Sequence, residues 1–384
     1  MNNDVQKLGS IFVYSDELAW FDFGADHYFK PERASKTYEL CNRYGVMNYE
    51  WMKILNPELP DESILSLFHE DGYIRLLEKA GKGEFNLEIL ERGIGTPDNP
   101  ILPGIFEWSL KVTGGTVAAI NRILNGEALA AFNPLGGFHH ARKGNAEGFC
   151  YVNDIAIAIK DILKKSPDKK IAYIDIDAHH GNGVQEAFYD DKRVLFICMH
   201  ETGKTLYPWS GNENETGEGN AKGFTVNIPL EPGADDEVFS FAFDEILPPL
   251  LDSFRPDLIV AELGADMLIS DPLTHLKLTN NGYIRAIKKV IKACPRVLAL
   301  GGGGYDLYRT ARCWTLAWAA LNNLEPVDEY AGLVGGMMFG PEMEVGTLFD
   351  NPYINAGEAK DKAMAEAKRV VEYLKKEVFP FHGL

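Results

Sequence analysis

Two pairs of adjacent histidines mark where this chain could do chemistry. His139 and His140 lie in the glycine-flanked run GGFHHA, and His179 and His180 close the run YIDIDAHHGNG behind Asp175 and Asp177. Side chains alternate along a strand, so Asp175, Asp177 and His179 fall on one face. Two carboxylates at the end of an apolar strand cost several kcal/mol unless a counter-charge lies beside them, so a cation is expected there. Asp177 and His179, two residues apart, can share one ion, and oxygen and nitrogen donors without thiolate suit zinc, ferrous iron or manganese. A third ligand is needed. Asp266 in AELGADML follows another apolar strand, with Glu262 and His275 as competitors. Three protein ligands leave a position open for water, which is the arrangement of a catalytic rather than a structural site. A histidine pair on a loop is often only surface or cap, and Asp266 alone could cap a helix. A DxDxHH run at a buried strand end has no such ordinary use. The run GGGGY at 301–305 lets the backbone approach a ligand closely ahead of Tyr305.

Strands separated by amphipathic helices must position these groups. IFVYS (11–15), ALAAF (128–132), IAYIDI (171–176), VLFICM (194–199), FTVNI (224–228), DLIVAEL (257–263) and RVLALG (296–301) are short apolar or β-branched runs. Helical patterns occupy 105–124, 152–164, 235–252 and 280–293. Apolar strands alternating with helices predict an α/β architecture, a mainly parallel central sheet with helices on both faces. The segments 133–150, 200–223 and 263–278 are long loops that follow strands, and they should gather at the carboxyl edge of the sheet, where such folds bind ligands. Ala363, Ala367, Val370, Val371, Leu374 and Val378 form one stripe, which predicts a terminal helix over 357–378 docked on the body. With no repeat, low-complexity tract or linker in 384 residues, a single domain over 1–384 is expected.

Composition narrows the classes. The five cysteines, at 41, 150, 198, 294 and 313, are odd in number and show no CxxC spacing, which argues against a disulfide framework and for a reducing compartment. No apolar leader segment and no 18-residue apolar run is present, so a cytoplasmic protein without a membrane span is expected. Lys+Arg of 38 against Asp+Glu of 56 gives a net charge of −18, which opposes nucleic acid and anionic membranes and tolerates a lysine-rich partner.

The runs GGFHHA, GFCYVNDIAIA, YIDIDAHHGNGVQEAFY, LGAD and GGGGYDLYRTARCWT resemble, in order and spacing, the motif series of the zinc-dependent histone deacetylase family. FKPER near residue 30, FHEDGYI (68–74) and DNPILPGIFE (98–107) resemble the branch holding the class I enzymes and the bacterial acetoin-utilisation deacetylases. The similarity runs over about 11–320, leaving 321–384 as a carboxyl-terminal extension. It implies the three-layer arginase/deacetylase-like fold and hydrolysis of acetyl-lysine in proteins. It also implies Asp177, His179 and Asp266 as ligands of Zn²⁺ or Fe²⁺, His139 and His140 as the catalytic pair, and Tyr305 as the phenol that polarises the carbonyl. Asp98 would anchor the substrate backbone at the rim. Gly148, Phe149 and Tyr207 would line the acetyl-lysine tunnel, with Leu273 at its mouth. Asp175 would hold His139 and join a structural K⁺ or Na⁺ site. Two departures stand out. Asn182 takes the place behind the second histidine where class I enzymes carry Asp, and Cys198 replaces a serine ligand of the monovalent site.

These types suggest a division of labour. Asp175 should raise the pKa of His139 and make it an electrostatic partner. His140, beside neutral Asn182, should remain the neutral general base and later the acid. A binuclear ureohydrolase of the arginase type would need further carboxylates where Gly181 and Leu268 stand. An acetylpolyamine amidohydrolase would want an acidic rim where Leu273 stands. An acetyl-lysine-binding scaffold with a dead site would not need every ligand and both histidines.

Overall fold

In the computed structural model, residues 9–326, 348–353 and 355–384 are described. Eight strands form one sheet: β1 (Gly9–Val13), β2 (Met52–Leu55), β3 (Ala128–Asn133), β4 (Ile171–Asp175), β5 (Val194–Glu201), β6 (Thr225–Leu230), β7 (Leu258–Glu262) and β8 (Val297–Leu300). Their spatial order is β2-β1-β3-β8-β7-β4-β5-β6, and every pairing is parallel. The expected parallel character therefore extends to the whole sheet. Each expected strand is present within a residue or two of its ends. β2 lies outside the expectation, because this short edge strand exposes Lys53 and Ile54 and buries none of its residues fully, so it carries no continuous apolar run.

The four expected helices appear as α5 (Ile105–Leu124), α6 (Asp154–Lys165), α8 (Asp236–Phe254) and α9 (Asn280–Ala293). Among the further helices are α1 (Asp16–Ala19), α2 (Glu32–Arg43), α3 (Asp71–Gly81), α4 (Leu87–Glu91), α7 (Asn182–Phe188) and α10 (Leu307–Leu321). Local caps start several of them. Asn153 Oδ1 accepts from Ala156 N at 2.9 Å at the head of α6, and Asp306 Oδ1 accepts from Tyr308 N and Arg309 N at the head of α10. The terminal helix, Glu358–Glu377, buries Ala363, Ala367, Val370, Val371 and Leu374 against α8 and β6, as its apolar stripe predicts. Of the expected extension 321–384, residues 327–347 and 354 lie outside the described residues.

β4, β5, β7 and β8 are buried along their whole length, so one layer of backbone register carries polar groups across the sheet. Asn133 is paired with Leu300, Leu300 with Glu262, Glu262 with Asp175, Asp175 with Cys198, and Cys198 with Asn227. In β3, β4, β7 and β8 this row falls on the last residue of the strand, directly below the loops that follow.

Candidate active site

The run after β4 is fixed by its own carboxylates. Asp175 Oδ1 accepts from Asp177 N at 3.0 Å, and Asp177 Oδ1 accepts from His179 N at 2.8 Å. Each acidic side chain thus closes a turn two residues on, which is how Asx side chains bend a strand end. The turn after β7 locks onto the same segment, with Ala178 N donating to Asp266 Oδ1 at 2.9 Å. The glycine turn after β8 completes the contact, with Gly303 N donating to Asp177 Oδ2 at 2.6 Å. A Cβ at Gly303 would lie 2.3 Å from Asp266 Oδ2 and 2.7 Å from Asp177 Oδ2, so the glycine run brings backbone against these carboxylates.

Asp177, His179 and Asp266 converge as the sequence predicts. Their donor atoms lie within 4.8 Å of one another, all buried. His179 Nδ1 is 2.8 Å from Asp266 Oδ2 and 3.1 Å from Asp177 Oδ1. A ring nitrogen held against two carboxylate oxygens needs a proton or a metal cation between them, and the donor set of two oxygens and one nitrogen fits a divalent ion. The same closeness is written in the protonation of the three groups. Burial disfavours charge on His179, but Asp177 and Asp266 outweigh it and raise its pKa to about 10. Burial would raise Asp177, yet His139 and His179 drive it well below the usual carboxylate range. Asp266 is pushed up to about 6 by burial and by Asp177.

The competitors for the third position lie elsewhere. His275 is turned away, its Nδ1 2.8 Å from the buried Glu201 and its side chain 61 % exposed. Glu262 lies on the other side of Asp177, in a second cluster with His139 and Asp177. Among the described residues, neither of its buried carboxylate oxygens has a hydrogen-bond partner. Gly181 and Leu268 offer no carboxylate for a binuclear centre.

The paired histidines face the ligand cluster. His139 Nδ1 lies 2.9 Å from Asp175 Oδ2, which also accepts from Tyr173 Oη at 2.6 Å. His140 Nδ1 lies 2.8 Å from Asn182 Oδ1, and the two Nε2 atoms are 3.1 Å apart. Burial opposes charge on His139, but Asp175 and Asp177 raise its pKa overall. Burial, with the positive charge of His139 and His179, drives His140 well below the ordinary histidine value. The two rings are therefore polarised in the expected sense. The phenol of Tyr305 is raised by burial and by Asp266 and Asp177, which keeps it protonated.

A narrow cavity of about 20 Å³ runs past His140, Gly148, Phe149 and Tyr305 towards Gly137 and Gly303. Phe149 packs its ring on Tyr305 at 5.7 Å and on His27 at 4.9 Å, while Tyr207 packs on His140 at 5.2 Å. Asp98 is exposed, and its carbonyl accepts from His27 Nε2 at 3.1 Å, which ties its loop to Phe149. Leu273 is half-buried, its N–H donated to Asp271 Oδ1 at 2.9 Å. Cys198 stands beside Asp175 in register, with its sulfur 3.2 Å from His200 Nδ1.

Two supporting residues escaped the sequence reading. Arg33, buried under the glycine turn, donates from Nη1 to Gly304 O at 2.9 Å and from Nη2 to Gly302 O, and stacks between Phe29 and Trp314. The FKPER run was its only signal. Asp271 accepts from both Leu273 N and Tyr305 N at 2.9 Å, joining the rim loop to the tyrosine. Burial and Asp266 push its pKa up to about 7.

A profile of the histone deacetylase domain matches residues 27–321. The acetoin utilization protein AcuC of Bacillus subtilis is 38% identical over 328 residues, covering 83% of this chain and 84% of that protein. Histone deacetylase 1 of Homo sapiens is 34% identical over 337 residues, covering 87% of this chain and 69% of that one. Among solved structures, an HDAC homolog from Aquifex aeolicus superposes with a TM-score of 0.84 at 32% identity, covering 96% of this chain and 100% of that chain. An HDAC homolog complexed with SAHA gives a TM-score of 0.83 at 33% identity.

Proposed function

Because this chain belongs to the histone deacetylase family, we propose that it is a metal-dependent amidohydrolase that removes acetyl groups from Nε-acetyl-lysine in proteins. The observation that carries this reading is the convergence of Asp177, His179 and Asp266 on one point beside the oppositely polarised His139 and His140. A bound zinc or ferrous ion would lower the pKa of the water it holds and polarise the substrate carbonyl.

The chain's own groups supply the rest. His140, neutral at Nε2, takes a proton from the attacking water as oxygen joins the acyl carbon. It returns that proton to the lysine nitrogen as the C–N bond breaks, so one water is consumed and acetate and a free amine leave. His139, held charged by Asp175, stabilises the developing negative charge without transferring a proton. The neutral Tyr305 hydroxyl donates to the same oxyanion. Gly148, Phe149 and Tyr207 would enclose the neutral lysine stem, Leu273 would line an apolar mouth, and Asp98 would hold the peptide backbone at the rim. A K⁺ or Na⁺ ion beside Asp175 would rest on backbone carbonyls, since a buried thiol at Cys198 is a poor ligand for it. The whole chain, 1–384, would act as one catalytic domain in the cytoplasm, on acetylated proteins rather than on nucleic acid or membrane. Among the described residues, no helix is long and apolar enough to cross a membrane.

The test is a turnover panel of acetyl-lysine peptides, acetylspermidine and arginine, each with zinc, iron and manganese. Acetyl-lysine peptides should give the highest kcat/KM, with one metal ion per chain. A higher kcat/KM on acetylspermidine than on every peptide would replace this reading with a polyamine amidohydrolase. Two tightly bound ions with turnover of arginine would replace it with a ureohydrolase.

A further inference from the structure

Behind His140 the polar contacts continue beyond Asn182. Asn182 Oδ1 faces His140 Nδ1, and its Nδ2 donates to Glu147 Oε1 at 3.2 Å. The other oxygen of Glu147 accepts from Arg142 Nε at 2.8 Å, and Arg142 Nη1 donates to Glu186 at 2.9 Å. Asn182 is buried, and the Glu147 side chain is 27 % exposed. Glu147 is held in place by the turn that pairs it with Cys150. The adjoining Gly148 lies directly under the His140 ring, where a Cβ would come within 2.5 Å of its Cδ2.

The two ends of a carboxamide have nearly the same shape, so either the oxygen or the nitrogen of Asn182 could face His140. Glu147 decides between them. A carboxylate paired with a guanidinium only accepts, so it demands the NH₂, and the oxygen is left for His140. His140 Nδ1 must then carry a hydrogen. At the far end Asp175 also only accepts, from His139 Nδ1. The chain Asp175–His139–His140–Asn182–Glu147 therefore has an acceptor at each end. It closes with three N–H groups on two rings, one at each Nδ1 and one between the Nε2 atoms. If the amide were reversed, His140 Nδ1 would become the acceptor. The chain would then close with only two, and the Nε2 of His140 would carry a hydrogen and could not act as a base.

We propose that Glu147 is a positioning residue for His140. By fixing the direction of the Asn182 amide it holds His140 in the Nδ1–H tautomer and leaves Nε2 as its basic nitrogen. The consequence for rate rests on the deacetylase reading, whereas the tautomer does not.

The experiment is two-bond ¹⁵N–¹H correlation on zinc-loaded protein labelled at histidine, together with kcat and KM on an acetyl-lysine peptide. Wild type should show His140 with its hydrogen on Nδ1. Glu147→Leu should shift His140 towards the Nε2–H pattern and lower kcat about tenfold, the usual scale for a partner of this kind, with KM within about twofold. Adding Asn182→Asp to Glu147→Leu should restore both the Nδ1–H pattern and most of kcat, because a carboxylate cannot be reversed. Should the leucine variant not fold, Glu147→Ala removes the same acceptor. The proposal is overturned if His140 keeps the Nδ1–H pattern without Glu147, or if the loss appears in KM and Asn182→Asp does not rescue it. A wild type that turns over no acetyl-lysine peptide would defeat the deacetylase reading, and the tautomer measurement would still decide the role of Glu147.

Discussion

At the scale of single residues, the paired histidines and Tyr305 separate three jobs that can be removed one at a time. Tyr305→Phe keeps the ring against Phe149 and His179 and deletes the only hydroxyl proposed to share the oxyanion. It should lower kcat by ~10²–10³ and leave metal affinity unchanged, since the phenol is not a ligand. His140→Ala should cost at least as much, because base and acid are lost together, and His139→Ala should cost less. The assignment of roles fails if His139→Ala is the more damaging, or if Tyr305→Phe keeps near-normal kcat on an unactivated peptide. His69 offers a separate test in stability. Burial depresses its pKa to about 4, and its Nε2 accepts the Asn153 N–H at 3.0 Å. The unfolded chain binds more protons than the native one between about pH 6.5 and 4. Its contribution is therefore fully present above about pH 6.5 and is lost as the pH falls through that window. His69→Gln keeps an acceptor for Asn153 and should shrink the drop in denaturant stability between pH 7 and pH 5, on the order of 1–2 kcal/mol. An unchanged drop would exclude His69 as a source of the acid sensitivity. Nearness of partners in the chain makes some residues legible in the sequence; Asp266, whose partners Ala178 and His179 lie 88 and 87 positions away, is legible only as an acid after an apolar strand, beside competitors. Asp177 and His179 organise each other through i,i+2 hydrogen bonds, so their spacing announces them. Arg33 could not be read the same way, because its partner Gly302 is 269 positions away.

At the scale of elements, β4, β7 and β8 were legible because burial on both faces turns a strand into an apolar run, and β2 was not, because half of it faces water. What no run of residues displays is the interlock of the three turns above those strands. At Gly303 a Cβ would meet the carboxylates of both Asp266 and Asp177. Gly303→Ala should leave the far-ultraviolet circular dichroism intact and weaken divalent metal binding by at least about tenfold, because the methyl group must displace Asp266 or Asp177. Unchanged metal affinity by competition with a chelator would show that the turn can yield without moving the ligands. FHEDGYI also gains a meaning at this scale. His69 receives the N–H of Asn153, the residue that caps α6, so one motif holds the start of the helix that another motif encodes.

At the scale of the whole molecule, a net charge of −18 surrounds a site expected to take lysine-bearing chains. Charges beyond about 10 Å act only at low ionic strength, so raising NaCl from 50 to 500 mM should lower kcat/KM several-fold for an acetylated peptide rich in flanking lysines. A peptide with uncharged flanks should respond little, and equal responses would remove the protein's field as a factor in encounter. The strand order β2-β1-β3-β8-β7-β4-β5-β6 has a consequence of another kind, in time. A ribosome releases β1 to β3 as one half-sheet and β4 to β6 as another, and the two stay unjoined until β7 and β8 emerge and slide between them. At ~5–20 residues per second, Asp177 and His179 wait several seconds for Asp266. A nascent chain stopped after β6 should hold no ion tightly, having only two of its ligands. The third proposed ligand and the two strands that join the half-sheets all follow β6 in the chain, so completing the ligand set waits on the same stretch of synthesis that closes the sheet.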